Sequence, residues 1–477
     1  MLKYINRKIL ALSLACFMLA SCKVPQVLEP KITNVVPGTY HNNPDTANLA
    51  QVNWRTFFGD QDLSNLIDTA LLRNQELQIT LQDIDISRND VRLRQAARLP
   101  TVAARLGAGL EKVGRYTSQG AGDATTEITP GKEMPDPLAD FAATISANWE
   151  VDLWKKLRNS KKAALTRYLS SVEGKNFVLS NLVAEVANAY FELVALDNEL
   201  DVVQQNIAIQ KDALEIVKVQ KQASRVTELA VQKFRAEVLK SQDIKYDLLQ
   251  QITETENRIN FLLARYPTPI RRNKASLQNA LSGVVASGIP AQLLVNRPDI
   301  RQSELELQAA KLDVAVARAE FYPSLAVSAN LGLQAFKPSY LFKLPESLLY
   351  GLAGDLAAPL INRSAIKVEF KTANARQLQA MFNYERTVLN AYMEVSNQLS
   401  GIENLGKRCE LKSTQVEALT KSIDLANDLF RSARADYLEV LMTQRDVLES
   451  RLELIETKKA QLNAIVNMYK YLGGGWN

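Results

Sequence analysis

The prolines fix the plan of this chain. None occurs between Leu138 and Tyr266, and none follows Pro359. Two runs of more than a hundred residues are therefore free to be helical throughout. Gly174 is the only glycine between Lys155 and Tyr266. In the first run Leu179, Val186, Leu193, Leu200, Ile207 and Leu214 recur every seven residues. Their companions are Leu182, Ala189, Leu196, Val203, Gln210 and Val217, of which only Gln210 is polar. In the second run Val388, Val395, Ile402, Cys409, Val416, Ile423 and Phe430 follow the same rule. A sustained 3.5-residue period specifies a coiled-coil seam. Cys409 on that seam reads as a small buried hydrophobe rather than a redox group. Each run breaks at a turn-like patch, "KQASRVTEL" near Ser224 and "RSARADYLEV" near Ala435. A second heptad helix then returns, the last through Leu441, Leu448, Ile455, Leu462 and Tyr469. Two helical hairpins are expected, and the stretch from Lys155 to about Gln222 alone makes roughly 100 Å of helix.

Against this background the stretch "FAATISANWEVDL" stands out. Phe141, Ala143, Ile145, Ala147, Trp149, Val151 and Leu153 are apolar and alternate with Ser146, Asn148, Glu150, Asp152 and their neighbours. That is the period of a strand with one oily and one wet face. "TVAARLGAGL" from Thr101, "SLAVSANLGLQ" from Ser324 and "LYGLAGDLAAPL" (349–360) alternate likewise, the last more weakly. Four strands are expected, two in each half of an internal repeat. Pro100 aligns with Pro323, and "DLWKKLR" from Asp152 aligns with "PLINRSA" from Pro359. The offset falls between those two points, so the loop before "FAATISANWEVDL" is longer than its counterpart "FKPSYLFKLPE". Loops that vary while strands keep register are exposed tips.

Four strands with an apolar outer face cannot close into a barrel alone, and open edges are not tolerated in lipid. Thirteen strand residues tilted by about 45° rise on the order of 30 Å, enough to cross the apolar layer. Ser146, Asn148, Glu150 and Asp152 on the other face suit a water-filled lumen. Two chains would supply eight strands, whose bore side chains fill; three would supply twelve, with room for a channel. The strands are thus expected to belong to a shared barrel, with the helices forming a tube beneath it.

The N-terminus gives an address. "MLKYINRK" is a basic segment, "ILALSLACFMLA" is too short an apolar core to span as a helix, and Leu19-Ala20-Ser21-Cys22 follows. This resembles a bacterial lipobox, in which the leader is cut before a cysteine that becomes acylated. Position 23 is Lys, not the Asp that retains many enteric lipoproteins in the inner membrane, so the outer membrane is the expected destination. With Cys16 in the leader and Cys22 lipidated, only Cys409 remains, and no intrachain disulfide is available. No uninterrupted apolar run after the leader reaches the length of a membrane helix.

Composition closes other doors. The 477 residues are 47% hydrophobic and 23% charged, those of an ordered chain. The net charge of +5 includes no basic cluster interleaved with aromatics, so no nucleic acid partner is expected. The single histidine, His41, excludes most histidine-based triads and metal sites, and no cofactor is expected beyond a covalent lipid on Cys22. Glu150 and Asp152 could be cast as a glycosidase pair, but a wet barrel wall explains them without further assumption. "GLAG" and "GGG" lack the strand–loop–helix setting of a phosphate loop. The chain is not expected to be an enzyme.

The segments "GIPAQLLVNRPDIRQSE" (288–304), "ARAEFYPSLAVSANLG" (317–332), "WEVDLWKKLRNSKKAA" (149–164) and "DYLEVLMTQRDVLES" (436–450) with "LNAIVNMYKYLGGGW" (462–476) resemble signature segments of TolC-like outer membrane efflux proteins. The lipoprotein branch serving resistance-nodulation-division (RND) pumps is the nearest likeness. The resemblance implies a mixed α/β membrane protein: a trimeric twelve-stranded transmembrane β-barrel, four strands per chain, continued by a periplasmic α-helical coiled-coil barrel. It implies a homotrimer in outer membrane lipid, a periplasmic adaptor (membrane fusion) protein and an inner-membrane RND transporter as partners. The function implied is a passive exit duct for drugs or other small toxic compounds. A type I protein-secretion duct and a lipid-anchored periplasmic coiled-coil adaptor are the alternatives. The expected layout is a signal peptide over 1–21, a lipidated extended segment over 22–56, repeats over 57–270 and 296–472 joined by a linker over 271–295, and a tail over 473–477. Relatives constrict the aperture with acidic residues and their partners at the second helical tip. By motif position Glu439 stands at one such site, while Met442 replaces a further acid that many relatives carry. Arg434, Asp436 and Glu439 at the second tip and Arg225 and Glu228 at the first are the candidate gate residues. The plain alternative is solvated turn charges, each worth under about 1 kcal/mol.

Overall fold

The computed structural model describes residues 37–40, 49–279, 288–358, 364–432 and 434–476. Cys22, His41, residues 280–287 of the expected linker and residues 359–363 lie outside them. Four strands form one antiparallel sheet: β1 (Thr101–Glu111), β2 (Leu138–Val151), β3 (Ser324–Ala335) and β4 (Leu348–Ala357). They pair in the order β1-β2-β3-β4. Each repeat contributes one hairpin, and β2 with β3 joins the two. The alternation read from the sequence is the alternation of the pleat. β2 stops at Val151, however, two residues before the apolar pattern does. β4 likewise stops at Ala357.

Seven helices carry most of the rest: α1 (Gln61–Arg73), α2 (Gln75–Ala96), α3 (Lys156–Gln222), α4 (Glu228–Leu262), α5 (Pro298–Ala319), α6 (Ser364–Arg431) and α7 (Tyr437–Tyr471). The repeat is visible in their lengths: α3 and α6 have 67 and 68 residues, α4 and α7 have 35 each. α3 ends where Ser224 turns to φ +56°, which brings the Arg225 amide to the Gln220 carbonyl at 2.9 Å. That bond satisfies a carbonyl the helix end would otherwise leave free. The loop between β1 and β2 is the longer one, and it has structure the alternation did not announce. Ser118–Asp123 is helical, and Glu127–Thr129 pairs with Lys132–Glu133.

The described chain divides into two compact units. The first takes residues 86–168 and 306–381 and holds the whole sheet. Its helical segments pack around Val314, Ala317, Phe321 and Phe370. The second takes residues 49–85, 169–279, 288–305 and the chain from 382 onward, with residues 37–40. Its main core gathers Leu63 and Ile67 of α1, Val186, Tyr190 and Leu193 of α3, and Ile259 of α4. The Tyr190 hydroxyl donates to Asp60 at 3.0 Å, and Ser276 donates to the same carboxylate at 2.6 Å. Arg297, whose side chain is 6% exposed, bonds Asp299 at 2.6 Å and Glu394 at 2.8 Å, so its buried charge is answered on two sides.

One stretch of α3 is apolar enough to cross a membrane by length and composition, but most of it is buried inside the protein, as befits a core helix. The seam of α3 is buried as its heptads require, including Gln210, apart from the half-buried Leu179 and Leu200. The seam of α6 is not: apart from Val395 its residues are half-buried. Cys409 is one of them, its thiol donating to the Gln461 amide oxygen at 3.5 Å.

Candidate functional site

The sheet has two faces of opposite chemistry. Register places Ser146 opposite Asn330 and Ala103, Asn148 opposite Ser328 and Thr101, and Glu150 opposite Ala326. Ser146, Asn148 and Glu150 therefore share one face, which also carries Arg105, Thr144 and Asp355. Gln334 donates to Asp140 there at 2.9 Å. The opposite face pairs Ala104 with Ile145 and Leu331 with Tyr350. Nothing among the described residues covers it: Leu106 is 87% and Leu352 80% exposed. A soluble sheet would bury this face against helices. An oily face turned outward is how a sheet meets lipid.

Aromatic residues bracket that face at both ends. Where the strands meet the helices, the Trp149 indole donates to the Arg98 carbonyl at 3.0 Å and the Trp154 indole to the Pro323 carbonyl at 2.7 Å. Trp154 stacks on Tyr322 at 4.7 Å. At the far end, Phe336 meets Tyr340 edge-on at 5.2 Å, near the exposed Phe342 and Tyr350. Rings with a polar tip collect at the two membrane–water boundaries. Sequence reading missed this pair of girdles, because it scored Trp149 only as apolar. The signal was the clustering of Trp and Tyr at strand ends.

Asp152 leaves the expected set. It sits beyond the end of β2, where its carboxylate accepts from the Leu157 amide at 3.0 Å and the Arg158 amide at 2.9 Å and pairs with the Arg158 side chain. Partial burial pushes this carboxyl up, but the bonds from Arg158 and Leu157 outweigh it and hold it below the ordinary aspartate range. The free amides at the start of α3 claim an acid from the preceding turn, which ends the strand. Glu150 stays on the sheet and pairs with Lys156 at 2.5 Å.

The helical tips bring the other candidates together only in part. Glu228 pairs with Lys221 across the first turn at 2.5 Å and accepts from Gln232 at 2.6 Å. The Lys221 bond holds its carboxyl below the usual range. Lys221 is the partner sequence reading did not name. Arg225, Arg434, Asp436 and Glu439 are all exposed, and among the described residues of one chain no ion pair joins them. Asp436 precedes α7 without capping it. Beneath these charges the tips share an apolar core. Val226, Phe430 and Tyr437 pack against Leu214, Val217, Phe234 and Leu441.

Comparisons with known proteins extend this picture. The family model described as outer membrane efflux protein matches residues 66–265 and 289–474. The pyoverdine export outer membrane protein OpmQ of Pseudomonas aeruginosa is 28% identical, over 99% of this chain and 98% of its own length. The solvent efflux pump outer membrane protein SrpC of Pseudomonas putida is 27% identical, over 89% of this chain and 87% of its own. The open-state MtrE outer membrane channel of Neisseria gonorrhoeae superposes with a TM-score of 0.82 at 23% identity, covering 95% of this chain and 98% of that one.

Proposed function

The chain belongs to the outer membrane efflux protein family, and from that premise we propose that three copies form one channel. It is an outer-membrane efflux protein. The observation that carries it is the open sheet. β1 and β4 each have an edge without a strand partner among the described residues, and the face between them is oily. Joining β4 of one copy to β1 of the next satisfies both edges, and three copies close twelve strands around an aqueous bore. Helix surfaces support the same closure. Ile79, Ile86 and Leu93 form an exposed stripe on α2 at heptad spacing, and Phe382 and Leu389 expose another on α6. Such stripes are the unpaired halves of coiled-coil seams.

In this assembly Ser146, Asn148 and Glu150 line the bore, and the helices enclose a periplasmic tunnel. Its partners are a periplasmic adaptor and an inner-membrane RND transporter, and the lipid anchor is Cys22. The cargo is a small compound, of the sort after which relatives are named for pyoverdine and solvents. Conduction is passive, with no bond made or broken. Closure at rest lies at the tips, where Asp436 and Glu439 meet Arg434 or Arg225 of an adjacent tip. The test is to express the full chain with Cys22 and as Cys22→Ala, then run outer-membrane fractions unheated and heated in SDS. Heat-modifiable trimers from both, with acylation only in the first, are expected. Monomers alone would sink the shared barrel, and fatty acid incorporated into Cys22→Ala would sink the anchor.

A further inference from the structure

The loop joining β3 to β4, residues 336–347, lies at the end of the sheet remote from the helices, since α5 enters β3 and α6 follows β4 at the other end. Its sequence, FKPSYLFKLPES, combines two lysines with three aromatic rings. The lysines are held, not loose. Lys343 Nζ lies 4.7 Å from the centre of the Tyr340 ring, and Lys337 Nζ lies 5.9 Å from the centres of both Tyr340 and Phe336. Two ammonium groups thus flank one phenol. Among the described residues neither forms an ion pair with a carboxylate. Glu346 is the one acid in the loop.

Beside this cationic pair the chain exposes Phe342 (77%) and Leu344 (64%), and it runs directly into the exposed Leu348 and Tyr350 of the oily face. Charge and oil are therefore continuous. The other loop at this end of the sheet differs. Residues 112–137 carry Lys112, Arg115 and Lys132 against Asp123, Glu127, Glu133 and Asp136, and Lys112 lies 4.0 Å from Asp136. Its three bases face four acids, a net charge of −1, whereas 336–347 sets two lysines against one acid, a net charge of +1.

We propose that loop 336–347 is a docking site for a phosphorylated glycolipid of the outer leaflet, with Lys337 and Lys343 taking its phosphate and Phe342 and Leu344 its adjoining acyl chains. The proposal rests on the barrel reading, which puts this end of the sheet at the outer surface. A phosphate at a membrane surface needs donors at the depth of the headgroups and apolar contacts just below. Lysine supplies the first as a compact charge on a long apolar stem. The aromatic rings fix the stems, so little side-chain freedom is left to lose on binding. An anionic ligand also relieves the mutual repulsion of two ammonium groups around one ring.

The test uses full-length trimers in detergent, freed of native lipid, with bisphosphorylated lipid A and its dephosphorylated form as probes. The wild type is expected to bind the phosphorylated form roughly tenfold more tightly, as a charge-assisted contact should. Lys337→Gln with Lys343→Gln should erase that margin, with trimer yield and conductance unchanged. Phe342→Ser with Leu344→Ser should weaken both forms alike. Should the lysine pair fail to fold, Lys343→Gln alone is expected to lose most of the margin. Equal binding of the two forms by the wild type, or a margin that survives in the lysine variant, overturns the proposal. So does equal binding of phosphatidylglycerol vesicles, which would make the loop a general anion patch, or full competition by inorganic phosphate, which would leave the acyl chains no part. Failure of the wild type itself to form trimers would instead strike the barrel reading, so the two failures are distinct.

Discussion

Ile145 and Ser146 are neighbours in the chain and face different solvents. Ile145 is 54% exposed on the oily face, beside Ala104 and Leu331, while Ser146 faces the other way with Ala103 and Asn330. Ile145→Arg should cost about 2–4 kcal/mol per copy near mid-membrane and deplete heat-modifiable trimers. Ser146→Arg should assemble at wild-type yield and alter single-channel conductance. Equal assembly defects for the two would contradict a lipid-facing sheet. This two-sidedness was legible in the sequence, because a period of two needs no partner to be read. Asp152 was not. Its place in the alternation was correct, but the free amides at the start of α3 bind it more strongly than the strand holds it. Glu228 was legible as a tip charge, whereas Lys221 was hidden, seven positions back and across a turn that only Ser224's left-handed backbone makes tight.

Among the helices, α3 and α7 meet around a group of charges. Lys459 bonds Glu192 at 3.0 Å and Glu456 at 2.5 Å. Glu199 lies nearby. Burial pushes its carboxyl up to about 7, with Lys459 opposing and Glu456 and Glu192 adding to the rise. The sign of the consequence follows from proton counts. In the unfolded chain Glu199 releases its proton near the ordinary glutamate value of 4.5, but in the fold it keeps it up to about 7. Stability therefore declines as pH rises through that window, and the loss is complete above it. Glu199→Gln should melt at a higher temperature than the wild type above pH 7 and at the same temperature below pH 4.5, followed by helical circular dichroism. Identical differences at both ends would mean that the glutamate is not buried as described. The length of α3 and the hairpin within each half were plain from proline spacing and heptads, whereas the meeting of α3 with α7 was not. The half-buried seam of α6 was not, because heptads specify a seam without saying whether the same chain or another copy fills it.

For the whole assembly, the proposed closure at the tips is open to direct test. Asp436→Asn with Glu439→Gln should raise single-channel conductance in planar bilayers while leaving trimer yield intact. Unchanged conductance would move closure from the charges to the apolar core beneath them, where Tyr437 packs with Phe430 and Val226. The sequence carried both the acids of this device and their proposed counter-charges, Arg434 and Arg225, but not the contact between them, which on this reading is made across neighbouring tips. The two free edges of the sheet reach further, into genetics. A copy whose β1 cannot accept a neighbour still offers a sound β4, so it enters the ring and prevents its closure. Loss-of-function alleles at an edge should therefore be dominant. With equal amounts of both copies mixing at random, only about one ring in eight would contain no defective member. A strain carrying both alleles should lose most of its export, whereas a null allele that makes no chain should be recessive.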